Sequence, residues 1–177
     1  MAINKGAEIL LRYGIAMIVV VAALVLPIFY VIFRPLTVYP VYWLLNFCYD
    51  IALNDLQSMI INGIGIEIID ACIAGSAYTL LFLLNALTRD LSFKKRVVLF
   101  VFDALLLLAL NILRLLILIN MVVHSSVAFD FTHKFFWYVL STVFVIAIWF
   151  LSIWFFRIKA IPFYSDVKFL IEQRKLQ

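Results

Sequence analysis

Long apolar runs separated by short charged segments dominate the chain. Runs at residues 14–33, 71–88, 97–123 and 135–156 approach or exceed the length of a membrane span, which needs about 20 apolar residues. Residues 35–70 between the first two runs are mixed, and their Trp and Tyr side chains are typical of the headgroup level. The pattern predicts an all-α polytopic membrane protein, a bundle of about four transmembrane helices plus an interfacial or re-entrant helix. A signal peptide is the alternative for the first run, but that run is long and lacks a small-residue cleavage site.

The mixed segment ends in a pattern that is typical of β-structure. Asn62-Gly63 lies between the apolar stretches 59–61 and 64–68, and Asn-Gly between apolar runs is a strong hairpin signal. We therefore expect a small extracytoplasmic β-hairpin. Asp70 is then predicted to cap the following helix and to place Cys72 in its first turn, where the helix dipole favours a thiolate. The alternative for Cys72 is a small buried apolar residue, since buried free Cys is common.

Composition supports the membrane class. Hydrophobic residues make up 67% of the chain, charged residues 14%, and the mean hydropathy is +1.16, which excludes an ordinary soluble domain. At 177 residues the chain is expected to form a single integral membrane domain, residues 1–177.

The positive charges predict an orientation. Eleven of the 14 Lys and Arg residues lie at the N-terminus, in residues 89–96 or in the tail from Arg157. By the positive-inside rule both termini of this multi-pass protein are cytoplasmic, at the cell membrane, and the hairpin lies at the outer face. Because this flanking pattern explains the net charge of +4, nothing in the charge predicts nucleic-acid binding.

Three polar residues are expected to meet near the outer face. Arg114 lies inside the third run and Asn111 lies three residues earlier on the same helix face. If the second and third runs pack together, the Arg114 guanidinium reaches toward Cys72. An intramembrane Arg is a functional candidate by default. The structural alternative is a buried ion pair, in which Asp103, eleven residues earlier, bridges to a neighbouring span.

Two histidines are candidates for a proton relay. His133 begins the fourth run, and Asp130 lies three residues earlier, where its carboxylate is placed to orient the ring. His124 ends the third run, roughly 80° around the helix and some 15 Å along the axis from Arg114. We favour His133, with His124 as the alternative. For either one taken alone, an exposed loop residue is a further explanation.

These residues resemble the exosortase/archaeosortase family of membrane-embedded cysteine transpeptidases. The resemblance rests on Cys72 within residues 67–75, on Asn111-Ile112-Leu113-Arg114 and on a histidine in the following loop, and it covers roughly residues 56–150. It implies that Cys72 attacks the C-terminal sorting signal of a surface protein and passes the acyl group to a lipid or cell-surface acceptor. Arg114 would stabilise the oxyanion or thiolate, and His133 would relay the proton. No cofactor is implied, and the scattered Cys and His spacing does not predict a metal site.

Other functions remain open. A non-catalytic small membrane subunit would use Asn111, Arg114 and Asp103 as polar contacts between helices. A transporter would need polar groups along a continuous path and usually paired repeats, which the sequence lacks. A disulfide between Cys48 and Cys72 would make Cys72 inert.

Overall fold

The structure is a computed structural model that describes residues 10–11, 13–18, 21–22, 27–88 and 91–158. Part of the first predicted span, residues 14–33, and most of the basic tail therefore lie outside the described residues. In chain order the elements are α1 (Ile28–Leu45), β1 (Ile51–Leu53), β2 (Ser58–Ile61), β3 (Ile64–Glu67), α2 (Asp70–Ile73), α3 (Gly75–Leu87), α4 (Phe93–Val123), α5 (Phe129–Phe135), a π-helix (Phe136–Leu140) and α6 (Ser141–Phe155).

The predicted fold class is wrong in two respects. The structure is mostly helical but contains a three-stranded antiparallel sheet, so it is not all-α. Among the described residues only α1 and α4 are long and apolar enough to cross a membrane, which replaces the expected bundle of four spans. Both helices are consistent with a membrane protein.

Helix α1 crosses the boundary that the sequence had suggested at Arg34-Pro35. It contains Pro35 and Pro40 and ends at Leu45, so the expected division between a first span and an interfacial helix is wrong. The reason is the core-facing side: Phe33, Thr37, Val38, Val41 and Leu45 are buried at helical spacing. Packing of this face outweighs the backbone hydrogen bonds that the two prolines remove.

The hairpin is confirmed. Strands β2 and β3 pair antiparallel, with Ile61 opposite Ile64. Asn62 and Gly63 between them both have positive φ, 49° and 82°, as a type I′ turn requires. The unpredicted strand β1 pairs with β2, so the order is β1-β2-β3.

The second predicted span, residues 71–88, is divided. Ala74, at φ 59° and ψ 34°, is in the left-handed region and separates the short α2 from α3. With 13 residues, α3 is about 20 Å long, well short of a hydrocarbon core of about 30 Å. Tyr30 of α1 lies against the break, since a Cβ on Gly75 would be 2.6 Å from the ring. Helix α1 therefore packs against the break, and the apolar sequence of residues 71–88 does not reveal that the helix is interrupted there.

The third run forms a helix close to its predicted bounds, whereas the fourth run does not form a single α-helix. Helix α4 has 31 residues, beginning four residues before residue 97 and ending at 123 as expected. The fourth run, 135–156, joins three elements, because α5 passes into the π-helix and then into α6 without an interruption in helical structure. Helix α6 itself has 15 residues, too few to span alone.

The four longer helices share one core with the sheet. Its fully or nearly fully buried apolar side chains include Val38, Val41, Met59, Ile61, Ile73, Tyr78, Leu81, Leu107, Leu115, Val145 and Ile148. Arg96 closes the turn between α3 and α4, because its guanidinium donates to the carbonyls of Asn85, Ala86 and Thr88 at 2.6–2.8 Å. These carbonyls lie at the C-terminal end of α3, where a helix leaves its last carbonyls without intrahelical partners, although the Asn85 carbonyl also accepts from the Thr88 N–H.

Candidate functional site

The break at Ala74 leaves backbone carbonyls in the turn around Cys72 free to accept hydrogen bonds from other elements. In an uninterrupted helix, the carbonyls of Ala71 and Cys72 would accept from the N–H groups four residues later. Here the chain leaves the helical path at Ala74, whose own carbonyl accepts from Ala77 and Tyr78. The carbonyls of Ala71 and Cys72 are thereby available to side chains from other elements.

Helix α4 supplies those side chains. Asn111 Nδ2 donates to the Cys72 carbonyl at 2.8 Å, and Arg114 Nη2 donates to the Ala71 carbonyl at 3.1 Å. Asn111 and Arg114 are 3% and 6% exposed, and their three-residue spacing places both on one helix face. The structure thus brings together Cys72, Asn111 and Arg114, as the sequence suggested.

Ser141 belongs to the same cluster, and the sequence analysis missed it. Arg114 Nη1 donates to Ser141 Oγ at 3.2 Å, and Ser141 Oγ donates to the Phe136 carbonyl at 2.7 Å. Ser141 follows the π-helix directly, and π-helical segments occur often at functional sites. A hydroxyl early in a mostly apolar run was the available signal, but the sequence does not show that it faces Arg114.

Asp70 has a different role from the predicted one. Ile69 is the residue at the N-terminal cap of α2, and none of the described side chains makes a capping hydrogen bond to that helix. The Asp70 carboxylate instead accepts a hydrogen bond from Arg34 Nη2 in an ion pair. The Arg34 guanidinium thus takes the place of the backbone donors as the partner of this carboxylate.

The Cys72 thiol is free and half-buried, and the Cys48 thiol is free and exposed. The structure therefore holds no disulfide between them. Burial raises the pKa of the Cys72 thiol, and the positive charge of Arg114 opposes that rise. The expected activation of Cys72 by a helix dipole is wrong, because α2 is one turn long and its environment favours the neutral thiol.

His124, at the C-terminal cap of α4, lies beside Tyr49. Its Nε2 is 3.3 Å from the Tyr49 hydroxyl, which also accepts from Asn120 Nδ2 at 2.8 Å. These contacts attach the segment before β1 to the end of α4. They give His124 a structural partner in the described part of the chain.

His133 lies in α5, where its ring stacks on Phe129 with centroids 5.5 Å apart. Asp130 begins the same short helix and is exposed. Within residues 91–158 and the other described ranges, no hydrogen bond joins His133 to Asp130, Cys72 or Arg114. The structure does not bring this histidine to the cluster.

A cavity of about 280 Å³ adjoins the cluster. Its wall includes Tyr30, Asp70, Ala71, Arg114 and Ser141. Cys72 is not part of that wall and packs against the core instead. The cavity therefore contacts the turn at Asp70 and Ala71, and not at Cys72 itself.

Asp103 does not pair with Arg114. Its Oδ1 accepts from Ser152 of α6, and its side chain is fully buried. The predicted ionic link from Asp103 to a neighbouring helix is a hydrogen bond to a hydroxyl. Arg114 has no carboxylate partner among the described residues.

Comparisons with models of protein families, with curated proteins and with solved structures find no match. Within the ranges that the structure describes, no three His, Cys, Asp or Glu side chains are grouped as metal ligands.

Proposed function

We propose that the protein is a membrane cysteine transpeptidase that cleaves the C-terminal sorting signal of surface proteins and transfers the acyl group to a lipid or cell-surface acceptor. The observation that carries the proposal is the attachment of the Cys72 turn to Asn111 and Arg114, which lie 39 and 43 residues from their backbone partners in sequence. These are the motifs on which the resemblance to the exosortase/archaeosortase family rests.

The reaction would begin with loss of the Cys72 proton to His133. The thiolate would attack the scissile carbonyl, and the developing oxyanion would be stabilised by Arg114. Return of the proton from His133 to the leaving amine would release the C-terminal segment and leave a thioester on Cys72. A hydroxyl or amine of the acceptor would then attack the thioester, and its proton would restore the thiol.

Because Cys72 favours its neutral form, this reaction needs a base. His133 is assigned by the order of motifs in the family, with Asp130 as its orienting carboxylate and His124 as the alternative base. On this proposal His133 approaches the thiol when substrate is bound, since catalytic hydrogen bonds are often completed only in the substrate complex.

The same proposal includes an orientation for the chain. Lys94, Lys95 and Arg96 begin α4, while its last turn has no basic residue, so the N-terminal end of α4 would face the cytoplasm. Arg114 lies 17 residues past Val97, about 26 Å along the axis and thus close to the outer border of a core of about 30 Å. Both termini would be cytoplasmic, and the active site would lie at the outer face.

The test compares the two cysteines. Cells that carry the wild type, Cys72→Ser or Cys48→Ser at equal membrane levels are compared by C-terminal proteomics for proteins ending in one apolar span and a basic cluster. Cys72→Ser should abolish removal of these C-terminal segments, because a neutral hydroxyl is a poor nucleophile. Cys48→Ser should process normally. Equal processing by Cys72→Ser and wild type would refute the proposal.

A non-catalytic membrane subunit is the second candidate. It is favoured by one arrangement: Asn111 and Arg114 donate to backbone carbonyls, and Cys72 lies outside the cavity wall. This function predicts that Cys72→Ala is tolerated while Arg114→Gln disrupts packing and lowers the amount of protein in the membrane.

A further inference from the structure

Arg34 of α1 contacts the turn that carries Cys72 from a different helix than Arg114 does. Its Nη2 donates to the carboxylate of Asp70, the first residue of α2 and two residues before the thiol. One helical turn earlier, Tyr30 lies against Gly75, just past the break. Helix α1 therefore touches both ends of the segment 70–75.

The two members of the ion pair have unequal surroundings. The Arg34 side chain is 16% exposed and that of Asp70 is 66% exposed. Arg34 Nη1 is buried without a hydrogen-bond partner, so within the described residues Asp70 is the only acceptor for this guanidinium. A mostly buried cation that loses its only acceptor must move or remain unpaired at a high cost. Asp70 could instead be hydrated in place.

The turn that carries Cys72 has little stability of its own. An isolated helix of four residues is unstable, because a single turn does not repay the entropy of nucleation. Its carbonyls at positions 71 and 72 are held by α4, and its first side chain is held by α1. The position of the thiol therefore depends on contacts from two helices.

We propose that Arg34 is a positioning residue that acts through Asp70 to fix the turn presenting Cys72. Only the reaction that the turn would serve rests on the proposed function. The role of Arg34 in holding the turn does not depend on it. Arg34 does not touch the thiol, and its effect is to keep the turn against α4, where Cys72 stays half-buried. Loss of the ion pair releases the turn and exposes the thiol.

The test measures alkylation of Cys72 by iodoacetamide in the purified full chain, with Cys48 of the same molecule as the internal reference. Asp70→Asn and Arg34→Gln should each raise the rate at Cys72 at least threefold and leave the rate at Cys48 unchanged. The exchange Arg34→Asp with Asp70→Arg restores the pair and should return the rate to within twofold of wild type. Glu67→Gln removes an exposed carboxylate three residues earlier and should have no effect.

Single substitutions that leave the Cys72 rate unchanged would overturn the proposal. An exchange variant that stays as fast as the single variants would also overturn it, because each residue would then act by itself. If Arg34→Gln does not accumulate, Asp70→Asn decides the question, since that position is largely exposed. Alkylation needs no sorting-signal substrate, so failure of the transpeptidase proposal would show in the Cys72→Ser comparison and leave this result unaffected.

Discussion

At the scale of single residues, two opposing effects act on the pKa of the Cys72 thiol. Burial disfavours the thiolate, and the nearby Arg114 charge favours it. Burial is the larger of the two. The resting protein therefore holds a neutral thiol that gains nucleophilicity only when a base removes its proton.

The pH dependence of alkylation follows from this balance. In the Cys48→Ser background, the iodoacetamide reaction of Cys72 should increase with pH through a midpoint above about 8.5, the value of an ordinary thiol. Because a raised pKa keeps the sulfur protonated at neutral pH, the rate should be low at pH 7. Arg114→Gln should move the midpoint further up, and Lys134→Gln should leave it unchanged. A midpoint below 8 would show that the thiolate is stabilised after all.

At the scale of elements, the break between α2 and α3 is the feature that organises the site. The left-handed residue is Ala74 rather than glycine, and left-handed backbone is unfavourable for a residue with a Cβ. Glycine occupies the next position, where the Tyr30 ring leaves no room for a side chain. The close approach of α1 thus explains the glycine at position 75.

Gly75→Ala should accordingly destabilise the protein. The added Cβ would lie 2.6 Å from the Tyr30 ring, and overpacking of this kind costs about 1–3 kcal/mol. Thermal unfolding in detergent should show a lower midpoint for Gly75→Ala, with partial recovery in the double variant Gly75→Ala, Tyr30→Leu. Gly65→Ala is the matched control, since a Cβ there meets no atom within 4 Å. An unchanged midpoint for Gly75→Ala would mean that α1 yields easily at this contact.

Local signals in the sequence were sufficient for some elements and not for others. The Asn62-Gly63 turn and the Asn111–Arg114 spacing depend on neighbouring residues, and the structure contains both. The left-handed Ala74 and the Arg34–Asp70 pair depend on contacts between residues far apart in the chain. An apolar run also looks the same whether or not a helix within it is interrupted, so run lengths overstated the number of spans.

At the scale of the whole molecule, α4 links the two ends of the structure. Its first turns carry the basic residues Lys94, Lys95 and Arg96, and its last turn lies beside Tyr49, two residues before β1. If α4 crosses a membrane, these ends face opposite compartments. The sheet and the Cys72 turn then share the side away from the basic cluster.

Single-cysteine labelling in intact cells tests this orientation. In a background with Cys48→Ser and Cys72→Ser, an impermeant maleimide should label Val127→Cys directly and Phe93→Cys only after permeabilisation. Both positions are exposed, at 102% and 80%, so access to the side chain does not limit the reaction. Direct labelling of Phe93→Cys alone would reverse the orientation, and the Cys72 turn would then face the cytoplasm.

The π-helix at Phe136–Leu140 acts as a one-residue phase shift within a helical segment. Ser141, which follows it, faces Arg114, whereas His133, which precedes it, stacks on Phe129. In a regular α-helix each residue adds 100° of rotation and 1.5 Å of rise. Winding the same residues as a regular α-helix would therefore rotate His133 by about 100° relative to Ser141. The direction in which this histidine points is consequently set by the π-helical turn between the two residues as much as by the residues themselves.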